Sequence, residues 1–312
     1  MIYKKIIFAF AIVCFMANTS LSQPGFYFLN LNTSARSAAL GGAVVSMPDD
    51  ASVLFVNPAA LSTVDERQVS ATFLKHVLDI NSGLITYNAN NESIGHYAVS
   101  VLYTSNGTFQ GADSRGIKTN TFSGNELAIS GTYSHSIDSN FYYGASLKYI
   151  YSGLEQTNSS AIALDAGLLY QIPKSRVNIG FSLLNLGTQL SQYVSTSESL
   201  PIDVRLGINH RLRGLPLLVN FSFHHLADQT DGFFDKFANI SIGGELTLSK
   251  VIDLRLGYDN RIRTAVATST QRGFSGISGG VGVKTKNILI DYAASSLGSP
   301  ATLHRLSVNF KL

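Results

Sequence analysis

The feature that most restricts what this chain can fold into is a two-residue hydrophobic period that sets in at about residue 68 and recurs to Leu312. It is clearest at 305–312, where Leu306, Val308, Phe310 and Leu312 share one face and Arg305, Ser307, Asn309 and Lys311 the other. Successive side chains of a strand point to opposite sides, so each such segment is a strand with one apolar and one polar face. The same pattern runs through Tyr143, Leu147, Tyr149 and Tyr151, through Ile162, Leu164, Leu168 and Tyr170, and through Ile252, Leu254, Leu256 and Tyr258, among others. About fourteen segments of roughly ten residues can be counted, the length a tilted strand needs to cross a bilayer. Most charges within them keep to the non-apolar face, Lys148, Asp165, Arg205, Glu245, Arg255, Asp291 and Arg305 among them.

Alternation alone also suits a soluble sandwich with the meaning of the faces reversed. The connections separate the two. Short ones (Asn88–Ser93, His135–Asn140, Ile172–Arg176, Arg211–Pro216, Ser249–Lys250, Thr285–Asn287) alternate with long ones (Thr104–Gly124, Ser152–Ser159, Gly187–Leu200, Leu226–Lys236, Asn260–Phe274, Ser295–Thr302). Short turns at one end and long loops at the other are the habit of outer-membrane barrels. The reading is therefore all-β: a transmembrane antiparallel β-barrel of about fourteen strands, with both termini periplasmic and the long loops extracellular. Tyr103, Phe141, Tyr142, Tyr170 and Phe274, near strand ends, fit an aromatic girdle. Composition agrees. Only 14% of residues are charged, against roughly 25% in soluble domains, and no apolar run long enough for a membrane helix follows residue 22.

Residues 1–22 have the form of a signal peptide: Lys4 and Lys5, an apolar run from Ile6 to Ala17, then Ser20-Leu21-Ser22 before Gln23 as the expected mature start. Cys14, the single cysteine, lies inside it, and Val13 before it does not suit a lipoprotein site. The mature chain then has no disulfide and no thiolate metal site. Losing two lysines takes the formal charge from +3 to +1, which offers nothing for nucleic acid. Residues 23–66 form a second unit, ahead of a barrel at 67–312. Ser34 to Ala43 reads as a short helix capped by Ser34 and ended by Gly41-Gly42, while Asp49-Asp50 and Asn57-Pro58 are turn chemistry. Such a small-residue segment before a wide barrel is a candidate hatch inside the lumen.

The run Ala35-Arg36-Ser37-Ala38-Ala39-Leu40-Gly41-Gly42-Ala43, then Asp49-Asp50-Ala51-Ser52, then Asn57-Pro58-Ala59-Ala60-Leu61, resembles the hatch of FadL-like fatty-acid-transporter barrels. Within that superfamily the chain resembles the PorV/PorQ group of the type IX secretion system of Bacteroidota. Phe26-Tyr27-Phe28-Leu29, Leu40-Gly41-Gly42, Asp79-Ile80, and Leu147-Lys148-Tyr149-Ile150 with Leu154-Glu155 carry this, and the modest length suits the PorQ side of the group. PorP/SprF proteins usually carry Asn-Pro-Ala-Tyr-Ala-Gly, from which Asn57-Pro58-Ala59-Ala60-Leu61 departs. The resemblance implies a fourteen-strand barrel and a non-enzymatic outer-membrane role without cofactors, anchoring a surface attachment complex. Its implied partners are outer-membrane lipid and lipopolysaccharide, a surface-exposed PorZ-like protein, a PorU-like sortase and a PorV-like barrel. The alternative it leaves is FadL-like transport of long-chain fatty acids or other hydrophobic small molecules. Inward residues that are mostly Ser, Gly, Asp, Lys and Arg speak against a greasy conduit. Arg36, Asp49, Asp50 and Asn57 are the residues expected to hold the hatch to the wall.

Catalytic and metal signals are weak. His224, His225, Asp228, Asp231 and Asp235 share one loop, but adjacent residues of a strand point to opposite sides and cannot easily share an ion. Gly276, Gly279, Gly280 and Gly282 before Lys284-Thr285 miss the phosphate-loop pattern, because Val283 intervenes and strands flank the run. Those glycines are better read as relieving crowding against the hatch.

Overall fold

Fourteen antiparallel strands pair edge to edge, and β1 (Gln68–Lys75) closes the ring on β14 (Ala301–Lys311), so no strand edge is left open. Between them lie β2 (Asn81–Asn91), β3 (Gly95–Ala112), β4 (Lys118–Ser136), β5 (Phe141–Leu154), β6 (Thr157–Ile172), β7 (Val177–Ser191), β8 (Asp203–Arg211), β9 (Leu217–Phe223), β10 (Ile240–Thr247), β11 (Ile252–Asp259), β12 (Ile277–Lys284) and β13 (Ile288–Gly298). This computed structural model describes residues 25–91, 93–155, 157–193, 197–230, 232–265, 273–298 and 301–312. The expected signal peptide at 1–22, with Cys14, and Gln23 as mature start lie outside the described residues, as does Asp231.

Burial settles what the alternation left open. Along β5, Leu147 and Tyr149 are 52% and 47% exposed, whereas Lys148 and Ile150 between and beside them are 1% and 0%. The apolar face is outside and the polar face inside, which is the arrangement for lipid and the inverse of a soluble sandwich. All seven charges named above, Lys148 to Arg305, are buried on the inner side. A cation placed on the outer face should therefore be costly. Leu147→Arg, near the middle of β5, is expected to destabilise the barrel by about 2–4 kcal/mol. Urea titration of folding into lipid vesicles measures it, and an unchanged midpoint would mean Leu147 lies outside the hydrocarbon.

Residues 25–64 occupy the interior. The helix α1 (Ala35–Ala39) packs on β11 to β14, and a 3₁₀ turn at Pro58–Thr63 packs on β3 to β6, so the segment bridges opposite walls. From Thr33 to Ser62 nearly every side chain is buried, Asp49 being an exposed exception. The interior is also more apolar than the inward residue types suggest. Leu84, Leu102, Ala128, Ile150, Ala161 and Ala163 face inward and form one cluster with Phe26, Phe28, Leu29 and Phe55. Alternation conceals this layer, because Leu and Ala at inward positions are indistinguishable from lapses in the pattern.

Three of the expected long loops are largely strand. Thr104–Gly124 is an extension of the β3–β4 hairpin that turns at 113–117, Ser152–Ser159 is the tight end of β5–β6, and β13 and β14 continue to Gly298 and Ala301. Polar, Gly-rich composition reads as loop; two strands that pair only with each other have no need of an apolar face. Past Ser105, β3 pairs only with β4, with Phe109 stacked on Phe122 at 5.4 Å.

Candidate functional site

The polar heart of the interior is a chain of ion pairs between the N-terminal segment and the wall. Arg36, on α1, donates from Nε to Glu245 Oε2 (2.8 Å) and from Nη2 to Glu245 Oε1 (2.7 Å), a two-pronged contact with β10. Its Nη1 meets Asp50 Oδ2 at 3.2 Å. On the wall side, Arg255 donates to Glu245 Oε2 (2.7 Å) and to Asp291 Oδ1 (2.5 Å). Strands β10, β11 and β13 are thus linked to one guanidinium from the segment. The local fold presents Arg36 through a well-formed cap: Ser34 Oγ accepts from Ser37 N at 3.0 Å. Gly41 and Gly42, both at positive φ, then end the helix. Gly41 has a second reason to be glycine, since a Cβ there would stand 2.8 Å from Tyr258 N.

The other motif residues divide between wall contacts and internal order. Ala35 N donates to Ser307 Oγ on β14 (2.9 Å). Asn57, fully buried, donates through Nδ2 to Val45 O (2.7 Å) and to Leu168 O of β6 (3.1 Å), and its Oδ1 accepts from Ala59 N (3.0 Å). Pro58 lies against Gly144, where an added Cβ would come within 2.5 Å of its carbonyl. Asp50 orders its own turn by accepting from Ser52 N and Oγ. Among the described residues the Asp49 carboxylate makes no hydrogen bond or ion pair to the wall: the residue turns at φ 59°, and its backbone N–H donates to Thr63 Oγ1. Further contacts escape sequence reasoning, among them Ser62–Ser134 at 2.6 Å, Ser278 to Ala39 O at 3.2 Å, Asn209 to Ser46 O at 2.8 Å, and Arg305 to Asn32 O at 2.9 Å. Their only signal is inward polarity, which names no partner. Of the four glycines in the near-phosphate-loop run, Gly280 is the one that gives way to the segment, facing the Ala39 side chain.

A second buried group lies on β5 to β7. Lys148 Nζ meets Asp165 Oδ2 at 2.6 Å and donates to Asn185 Oδ1 at 2.9 Å, above the Phe55 ring. Asp165 Oδ1 accepts from Asn185 N (2.8 Å), at a bulge where Asn185 takes φ 58°.

His224 and His225 follow β9. They do not part to opposite sides: the strand has ended, His225 turns at φ 56°, and the two rings pack edge to face at 5.4 Å. His224 Nε2 lies 3.0 Å from Ser241 Oγ and 3.6 Å from Asp259, while His225 faces Asp203 (3.8 Å) and Asp228 (3.6 Å). Ser241 and Asp259 approach the same nitrogen of His224, so this is no relay of nucleophile, base and orienting acid. Among the described residues no group of three or more His, Cys, Asp or Glu is placed to hold a metal. Burial, with Arg205 and His225 adding to it, lowers the His224 imidazole from 6.5 to about 3. The unfolded chain therefore takes up a proton below 6.5 that the folded loop refuses. The loop's stability is full above that pH and falls as pH drops towards about 3. Hydrogen exchange across 224–239, corrected for intrinsic rates, should show faster opening at about pH 4.5 than at about pH 7; equal opening would separate His224 from loop closure.

No family model matches this sequence, and no curated protein matches it. Solved structures do. The Pseudomonas putida toluene transporter TodX superposes with a TM-score of 0.60 at 13% identity, over 93% of this chain and 98% of that one. The chain has the FadL-like barrel fold. The Ralstonia pickettii toluene transporter TbuX (TM-score 0.58, 15% identity) and a Pseudomonas aeruginosa FadL homologue (0.56, 12%) each match over 89% of this chain and 98% of theirs. At such identities the likeness speaks for the FadL-like architecture and not for residue roles.

Proposed function

We propose that this FadL-like barrel is a non-enzymatic channel of the outer membrane for small hydrophobic molecules, with short turns periplasmic and long loops extracellular. Its apolar inner layer carries the reading. Leu84, Leu102, Ile150 and the neighbouring alanines give a barrel with a polar interior one compartment suited to a hydrocarbon, and Phe26, Phe28, Leu29 and Phe55 of the N-terminal segment stopper it. Arg36 and Asn57 hold that segment in place. A substrate then enters by displacing the aromatic stopper, while the ion pairs keep the remainder of the hatch seated. That the similar structures include toluene transporters supports the substrate class by analogy of fold.

One observation favours a second reading, that of a PorQ-like anchor for a surface attachment complex. The gap beside the layer, lined by Leu31, Thr33, Thr72, Leu74, Ser82, Gly83, Leu84 and Leu102, is about 10 Å³, no more than one water needs. In that reading the barrel is a membrane-seated platform, with PorZ-like, PorU-like and PorV-like proteins and lipopolysaccharide as partners.

Direct binding tests the two. The channel reading expects saturable binding of toluene or a long-chain fatty acid to the purified barrel, abolished by Leu102→Trp, which fills the layer. If no such ligand binds, and the protein instead leaves solubilised outer membranes with a large surface protein and a protease, the channel reading is wrong and the platform stands.

A further inference from the structure

The interior opens at its short-turn end into a cavity of about 670 Å³, between the underside of the N-terminal segment and the turns of β6 to β14. That volume is typical of a ligand pocket, but its lining is charged. Arg36 and Arg255 are already engaged by Glu245, Asp50 and Asp291. Lys284 meets Asp253 at 2.5 Å, and Lys311 meets Glu66 at 2.7 Å. Arg176 and Arg211 differ: among the described residues neither guanidinium has an ion-pair partner, yet both line the cavity. Their backbones are paired, Arg211 N donating to Arg176 O where β7 and β8 meet these turns (3.0 Å). Arg176 holds the left-handed conformation, φ 55°, at a position where that backbone disfavours an L side chain. The surrounding turns deepen the imbalance. The four at 173–176, 211–216, 248–251 and 284–287 carry seven Lys or Arg and no Asp or Glu. Asp49 hangs from the ceiling of the cavity on the N-terminal segment. Asp65 and Glu66 precede β1, where Glu66 is taken up by Lys311, and Asp138 lies in the turn between β4 and β5; none of the three lines the cavity.

We infer that this vestibule binds an anion carrying two or more phosphate or carboxylate groups, gripped by the guanidiniums of Arg176 and Arg211. Planar guanidiniums match such oxyanions two-pronged, where a lysine offers only a point charge. Low-dielectric walls concentrate the field of the free cations at the mouth. The inference is independent of the apolar layer above and of what passes it. The same chemistry comes from a soluble anion or from the headgroup of an anionic phospholipid at the rim.

The test uses the full barrel in zwitterionic nanodiscs, titrated calorimetrically with inorganic pyrophosphate, together with a count of phosphatidylglycerol retained after purification from mixed lipid. Arg176→Gln with Arg211→Gln should weaken pyrophosphate binding tenfold or more if the ligand is soluble, or strip the retained lipid if it is a headgroup. Lys250→Gln with Lys286→Gln, which removes equal charge from side chains that do not line the cavity, should change neither by more than twofold. If the arginine pair leaves both readouts unchanged, or if the lysine pair lowers them equally, the vestibule is not a site and the turns merely carry diffuse charge.

Discussion

Replacing Lys148 with methionine is expected to cost about 3–5 kcal/mol, the loss that follows when one member of a buried ion pair is removed and the other stays behind. Lys148 and Asp165 are 1% and 2% exposed and meet at 2.6 Å. Without the ammonium, Asp165 keeps only the Asn185 N–H at 2.8 Å, and Asn185 Oδ1 loses its donor. The β7 bulge that Asn185 shapes should loosen with them. Removing both charges, with Lys148→Met and Asp165→Leu together, should recover much of the loss, since a well-packed apolar pair often replaces a buried ion pair at little cost. Urea-dependent folding into vesicles reads both variants. A Lys148→Met barrel as stable as the parent would mean that water reaches this part of the lumen.

Arg36→Leu is expected to act on closure more than on the wall. Glu245 retains Arg255, so β10 and β11 stay joined. The segment, however, loses both charged hydrogen bonds to Glu245, each worth about 1.5–3 kcal/mol, and Asp50 loses its cation. In planar bilayers the variant should show conductance steps that the parent lacks, and limited proteolysis should cut within residues 25–64. A silent, protease-resistant Arg36→Leu would show that Asn57, Ala35 and apolar packing hold the segment without it.

The wall is legible in the sequence for a physical reason. Lipid outside and a wet or ionic interior impose opposite demands on adjacent residues, so the period is strict and the strand number follows from counting it. Lys148, Glu245 and Arg255 can be assigned inward because a charge in hydrocarbon is costly. Their partners cannot: Arg36 and Glu245 are 209 positions apart, and nothing local in either records the other. The helix at Ala35–Ala39 is readable from its Ser34 cap and double glycine. The filled apolar layer is not, because it is made of inward Leu, Ile and Ala from β2 to β6 that meet Phe28 and Phe55 only in three dimensions. The histidine pair defeats a reading by strand geometry because β9 ends at Phe223, before either ring, and His225 then turns the chain.

The placing of residues 25–64 inside the ring bears on how such a molecule can be made. Arg305 donates to Asn32 O across 273 positions, and Ser307 receives the Ala35 N–H across 272. A chain delivered from its amino end exposes this segment first, yet its seat on β14 exists only after all other strands have been added. Threading the segment into a finished cylinder would mean carrying its polar groups, stripped of water, through a confined space before any found a partner. Wrapping is the cheaper route: the sheet curls around a waiting core, and the β1–β14 seam shuts last. The register of that seam runs from Gln68 opposite Lys311 to Lys75 opposite His304. It is then a latch whose failure would leave a curled, unclosed sheet with its hatch already docked on β3 to β6.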